Sequence, residues 1–360
     1  MPMQTPTTPS TPSTPSTPST PSTPTFPAAT AVPLRGGPTL RWGVIGPGEI
    51  AGDFTDALHA HTDQRVVAVA SRSLDRAEAF ARAHGVDSAY GDQEALVASP
   101  DVDVVYVATP HTRHLPDALT AIRAGKHVLI EKPMATSTAE ADEIAAAASA
   151  AGVLAMEALW TRYLPHTTVI AELLADGAIG DVRLATADVA WANDLSTGGR
   201  MADPALGGGA LLDIGVYAFW FTQFATGHPV EWHATGSTRA DGVDLDAAVV
   251  TRTADGVLAT AATSLLTTSP GLGTISGTTG SIRTLQNLVF PATFELTTGA
   301  GSAVWSDPSV PTGRQGLAYQ ATALASYVDA GLRDSPLHSL ADSRSLLATI
   351  EATRASLTVV

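Results

Sequence analysis

The chain of 360 residues contains no cysteine. That removes disulfides, thiolate nucleophiles and cysteine-bound zinc from the possible chemistries without assigning a compartment. Basic residues are scarce, 20 Lys and Arg against 35 Asp and Glu, and the net charge of −15 repels phosphate backbones and anionic lipid heads. Neither nucleic acid nor a membrane surface is expected as a partner. Long apolar runs are missing as well. Beyond the N-terminal Thr/Pro/Ser-rich segment, the longest uncharged stretch, residues 256–282, is crowded with Thr, Ser and Gly and broken by Pro270, whereas a membrane helix needs about 20 mostly apolar residues. The first residues lack the basic and apolar segments of a secretion signal and carry no twin arginine, so the expected setting is cytoplasmic. Charged residues make up only 15% and hydrophobic ones 44%, enough for a sizeable core, and the length suits two domains at about 100–200 residues each.

Residues 1–36, most of which repeat Thr-Pro-Ser, a composition that cannot bury apolar surface, are expected to be a solvated tail outside the fold. From Leu40 onward short β-rich runs (WGVI, VVAVA, VDVVYVA, HVLI, VLAME) alternate with alanine-rich amphipathic stretches. This is the texture of βαβ units and a parallel sheet. After Trp160 the pattern changes. A helix near 166–175 leads into VRLATADVAW, a glycine-rich turn and a helix near Ala210. Residues 230–304 are then rich in β-formers with turns between them, and two helical stretches near 316–331 and 341–357 close the chain. That order predicts a large, mostly antiparallel open sheet.

GVIGPGEIA places Gly46, Gly48 and Ala51 in a GxGxxA pattern between the first strand and a helix starting near Glu49. Gly46 permits the tight turn, Gly48 lets backbone approach a pyrophosphate, and after Pro47 the amides of Glu49 and Ile50 open the helix toward the anion. Position and motif together predict a doubly wound Rossmann domain over 37–158 and an α+β substrate and oligomerisation domain over 159–360, whose last helices can pack back on the first. The second strand ends in Ser71-Arg72, where an NAD enzyme usually carries an acid for the ribose 2′-hydroxyl. A hydroxyl and a guanidinium suit a 2′-phosphate instead, so NADP is expected over NAD; Arg76 is weighed as a further charge or a plain helix residue. Thr109, Pro110, His111, His114, Glu131 and Lys132 all fall at strand carboxyl ends, where open α/β sheets bind ligands. His111 and His114 without acidic or cysteine partners do not make a metal site, and none is expected. GGGALLDIGVYAFWF is apolar on all sides, so its helix is expected in the core. Asp213 inside it needs a partner, and Tyr217 lies one turn on. A cluster of Lys132, Asp213 and Tyr217 for proton transfer and a capping Asp beside a core tyrosine are equally compatible with these residue types.

With ASRS, ATPHTRH, EKPMA, MEALWTRYLP, GGGALLDIGVY, ISGTTGSI and a closing YQATALASYV helix in that order, the chain from Leu40 onward resembles the Gfo/Idh/MocA oxidoreductase family. The resemblance implies that Lys132 binds the reacting hydroxyl or carbonyl, with the Lys132–Pro133 bond often cis, and that the second sheet forms a homo-oligomer contact. Many members have histidine four residues after the aspartate. Tyr217 there, with MEALWTRYLP, resembles the branch of dihydrodiol dehydrogenases and NADP-linked D-xylose dehydrogenases. That branch implies Tyr217 as general acid/base with its pKa lowered by Lys132, Asp213 in support, and Trp160 and Arg162 near the cofactor and substrate mouth. Gln320 and Thr322 stand where relatives often carry glutamates. The expected function is an NADP-dependent oxidoreductase moving a hydride at a carbinol carbon of a sugar or diol, with aldose oxidation first and a trans-dihydrodiol second. The alternative is a non-catalytic NADP-sensing regulator, which would not need Lys132, Asp213 and Tyr217 together. Asn193, Asp194 and Arg200 are loose substrate candidates, each equally an ordinary loop residue.

Overall fold

In the computed structural model, which describes residues 23–196 and 198–360, two sheets lie on either side of a deep cleft. The first has six parallel strands in the order β3-β2-β1-β4-β5-β6. They are β1 (Arg41–Ile45), β2 (Arg65–Ala70), β3 (Ser88–Tyr90), β4 (Val104–Val107), β5 (His127–Glu131) and β6 (Ala155–Ala158). β4 and β6 are buried at every position, as a parallel sheet covered on both faces demands. Helices α1 (Glu49–His61), α2 (Leu74–His84), α3 (Gln93–Ala98), α4 (His114–Arg123) and α5 (Thr138–Ala151) supply the cover, and α5 ends at Gly152 with φ 66°. The strand order reverses between β1 and β4, which opens a crevice at their carboxyl ends.

The second sheet has nine strands, ordered β14-β13-β12-β11-β7-β10-β9-β8-β15. Its members are β7 (Val182–Ala190), β8 (Pro229–Thr238), β9 (Asp244–Thr253), β10 (Leu258–Ser264), β11 (Gly273–Gly277), β12 (Gly280–Thr284), β13 (Phe294–Thr298), β14 (Gly301–Trp305) and β15 (Thr358–Val359). The sheet is antiparallel except where β10 meets β7 and β15 meets β8. One face packs on α7 (Val216–Thr226), and the other leaves Leu184 and Val250 about two-fifths exposed. α6 (Pro165–Ala175) leads into this sheet, while α8 (Ala318–Asp329) and α9 (Leu340–Arg354) return to the first one. Arg344 pairs with Asp142, and Glu351 accepts from Thr138, both on α5. The helical run Pro204–Thr226 has the length and apolarity to cross a membrane (mean hydropathy 1.3), but 78% of that window is buried inside the protein, so its apolarity serves the core.

The expected tail boundary at residue 36 is too late. Residues 1–22 lie outside the described part, but within residues 23–36 the side chains of Phe26, Ala31, Val32 and Leu34 pack against the core. Phe26 meets Phe294 edge-on at 5.6 Å, and the Thr30 amide donates to Thr168 Oγ1. Arg35 reaches the Ala60 carbonyl and Asp63. Composition hid this because one phenylalanine and a few aliphatic side chains suffice when the core offers apolar surface to receive them.

Candidate active site

The crevice between the sheets holds about 710 Å³. Its floor is the β1–α1 turn. Gly46 has φ 95°, and a Cβ there would meet the Ala108 backbone at 2.9 Å; at Gly48 a Cβ would meet nothing within 4 Å. The first glycine is therefore required by the turn, whereas the second leaves room in front of the α1 amides, the cradle a dinucleotide diphosphate needs. Pro47 and Ile50 continue this floor, and Thr109 and Pro110 form its β4 side. At one end stand Ser71, Arg72 and Arg76; the two guanidiniums have no hydrogen bond or ion pair among the described residues. The residues present fit a nicotinamide dinucleotide.

At the other end Lys132, Asp213 and Tyr217 come together from three parts of the chain. Lys132 follows β5 and precedes a cis bond to Pro133. Asp213 sits in a π-turn, Leu211–Gly215, that widens the start of α7, and wider turns of this kind recur at functional sites. The run Gly207–Gly209 before it has a packing cause: a Cβ on Gly207 would meet His111 at 2.8 Å, and one on Gly208 would meet the Arg200 and Met201 carbonyls at 2.6 Å. Lys132 Nζ donates to the Asp213 carbonyl at 2.6 Å, lies 3.6 Å from Asp213 Oδ1, and stands 5.0 Å from the centre of the Tyr217 ring. Arg200 donates to the same carboxylate oxygen at 2.8 Å.

Charge follows from this packing. Burial works against the Asp213 carboxylate, but Lys132 and Arg200 outweigh it and hold its pKa well below the usual range. Burial likewise works against the Lys132 ammonium, yet Asp213, Tyr217 and Glu131 raise it above its ordinary value. Lys132 does pull the Tyr217 phenol down, as expected, but burial dominates and Glu131 adds to it, so the net shift is upward. The expected lowering of the Tyr217 pKa is thus corrected: the side chain is 4% exposed and stays a phenol. Its oxygen accepts from Trp160 Nε1 at 3.0 Å, leaving its own proton free to face the cleft.

The two histidines have different tasks. Burial, with His114 adding to it, pushes His111 down to about 3, so the ring is neutral, donating from Nδ1 to the Gly207 carbonyl at 3.0 Å. His114 lies between the Pro133 and Thr109 carbonyls at 2.8 and 2.9 Å and ties the β4 and β5 turns together. Glu131 accepts from Tyr106 and from the Lys132 amide. Among the described residues no group of three His, Asp or Glu could hold a metal ion.

Two expected cofactor residues are not on the cleft wall. Arg162 donates to the Leu337 carbonyl and lies over Phe224, 5.0 Å from its ring centre, so its guanidinium serves packing. The Glu49 side chain points to Arg314, which leaves only its place in the first turn of α1. Gln320 and Thr322 are buried in α8, away from the cleft. Asn193 bonds the Trp191 carbonyl and Asp194 bonds Ser196, whereas Arg200 belongs to the site. Sequence reasoning missed Trp191, Phe290, Arg314 and Leu317, all of which line the cleft. Trp160 meets Phe290 edge-on at 5.8 Å and Trp191 lies 6.4 Å from the same ring, an aromatic wall drawn from three distant segments.

Residues 40–159 match the model of an oxidoreductase family with an NAD-binding Rossmann fold, and residues 168–283 match the Gfo/Idh/MocA C-terminal domain. The mouse (Mus musculus) trans-1,2-dihydrobenzene-1,2-diol dehydrogenase is 36% identical over 329 residues, 89% of this chain and 97% of its own. The chain belongs to the Gfo/Idh/MocA oxidoreductase family. Its zebrafish (Danio rerio) relative of the same name is 37% identical over 89% of this chain and 98% of its own. Among solved structures, the 3-ketoreductase KijD10 from Actinomadura kijaniata, in complex with NADP and TDP-benzene, superposes with a TM-score of 0.77 at 28% identity, covering 91% of this chain and 99% of its own. This Gfo/Idh/MocA member is an oxidoreductase with a nicotinamide-dinucleotide domain at residues 40–159.

Proposed function

We propose that the protein is an NADP-dependent dehydrogenase of the trans-dihydrodiol or aldose type, oxidising a carbinol carbon that carries a neighbouring hydroxyl. The observation that carries this reading is the cluster at the cleft end, an ammonium and a phenol beside a buried carboxylate, with Trp160 bonded to the phenol oxygen. A dinucleotide held at the β1–α1 turn would supply hydride-transfer chemistry at this end of the cleft. Lys132 donates a hydrogen bond to the reacting oxygen; Asp213 keeps that ammonium charged, and Arg200 holds the Asp213 carboxylate in place. In its phenolate form Tyr217 accepts the hydroxyl proton during oxidation, and as the phenol it gives that proton back during reduction. Trp160 stabilises the oxygen each time it carries the negative charge.

Preference for NADP is supported by the free Arg72 and Arg76 beside Ser71, and by the local charge. Six basic and five acidic residues line the cleft of a chain whose net charge is −15. The aromatic wall of Trp160, Phe290 and Trp191 favours a flat or ring-shaped diol over a fully hydroxylated sugar, which reverses the order expected from sequence. The exposed aliphatic face of the nine-stranded sheet supports self-association. The test is reduction of NADP at 340 nm with trans-dihydrodiols, D-xylose and D-glucose, with NAD and Tyr217→Phe in parallel. Turnover that requires NADP, is fastest on the dihydrodiols and falls by about 10²–10⁴ in the variant is the expected result. Tight NADP binding without turnover on the whole panel would make the protein a sensor instead.

A further inference from the structure

Behind the active site lies a buried cluster that the proposed chemistry does not use. Glu157 on β6, His338 before α9 and Ser343 in the first turns of α9 are all under 5% exposed. Glu157 Oε2 accepts from Ser343 Oγ at 2.6 Å and lies 2.8 Å from His338 Nε2. The residue types suggest an activated serine, but the geometry does not. Ser343 donates to the carboxylate, and none of the three side chains lines the cleft.

The second oxygen, Glu157 Oε1, accepts from the Met134 amide at 2.8 Å. Met134 stands two residues after Lys132, and the turn between them is held at two more points, by the Lys132 amide on Glu131 Oε2 and by His114 on the Pro133 carbonyl. Burial works to neutralise Glu157, but His338, Ser343 and the Met134 amide outweigh it and keep its pKa below the ordinary value. Its bond to Met134 is thus charge-assisted, the strong kind. Two of the groups holding that charge come from a segment about 180 positions further along the chain.

We propose that Glu157, clamped by His338 and Ser343, is a positioning residue for Lys132: it fixes the Met134 amide and so sets where the ammonium meets the substrate oxygen. This rests on the reading of Lys132 given above. Displacements of about 1 Å at a reacting group cost up to about 10²-fold in rate even when the mutated residue is remote from the chemistry. His338→Leu and Ser343→Ala are therefore expected to lower kcat by roughly 10- to 100-fold while leaving NADP affinity, read by quenching of tryptophan fluorescence, essentially unchanged. His338→Gln, which keeps a donor toward Glu157, is expected to recover most of the lost kcat. The proposal is overturned by an unchanged kcat in both His338→Leu and Ser343→Ala. It is equally overturned if kcat, NADP affinity and unfolding temperature fall in step with no recovery in His338→Gln. Lys132→Met serves as the reference: if it remains active, the underlying role of Lys132 fails, a result distinct from failure of the clamp.

Discussion

Asp213→Asn removes one charge from the site and preserves its shape. The Lys132 side chain is only 13% exposed, so its ammonium is the group left uncompensated; Arg200, 40% exposed, reaches water and contributes little. Breaking a buried ion pair from one side costs about 3–5 kcal/mol. Lys132 keeps its 2.6 Å bond to the Asp213 carbonyl, which puts the loss at the lower end, about 3 kcal/mol. At about 1.4 °C per kcal/mol for a chain of this length, the unfolding temperature at pH 7 should fall by about 4 °C. The pH dependence has a definite sign. Asp213 has a depressed pKa when folded, so its contribution is present above its unfolded value near ~3.9 and is lost as the pH falls toward the folded one. Lys132 has a raised pKa when folded, so its contribution is complete below about 10.4 and is lost as the pH rises through the folded value. The deficit of the variant should thus be level from about pH 5 to pH 9 and shrink below about pH 4. Thermal unfolding followed by circular dichroism across that range is the assay. A fall of less than about 2 °C at pH 7, or a deficit equal in acid and at neutrality, would refute the reasoning.

Replacing Arg72 and Arg76 together by alanine should weaken NADP binding by about tenfold or more, at roughly 1.5–3 kcal/mol per charged hydrogen bond, with NAD binding unaffected in the same titration. Because the Tyr217 phenol lies above its ordinary value, substrate oxidation should climb with pH and show no plateau below about pH 10; a pH–rate profile levelling near neutrality would assign proton transfer to another group. Phe26→Ala should lower stability by about 1–2 kcal/mol, since the ring is half-buried against Phe294, and a denaturation midpoint equal to that of the unaltered protein would show that residues 23–36 add nothing to the fold.

The parallel sheet and the crevice at its strand ends were legible because they follow from short-range signals. GxGxxA between a strand and a helix permits few backbone paths, and unbroken apolar strands need cover on both faces. The placement of Lys132 at a strand end was legible for the same reason. Local sequence could not settle the balance of forces at a point where distant segments meet. Whether Lys132 or burial governs Tyr217 depends on the Trp160, Glu131 and Asp213 environment assembled by folding. Trp160 and Arg162 are two residues apart in one motif, yet the turn sends the first into the cleft and the second toward Leu337. The aromatic wall draws its rings from residues 160, 191 and 290, and the Glu157 clamp reaches from β6 to α9. The sequence by itself determined the strands, the helices and the chemical inventory of the site. Only tertiary packing decided which charges are desolvated together, because both desolvation and Coulomb attraction act through space and are blind to the order of the chain.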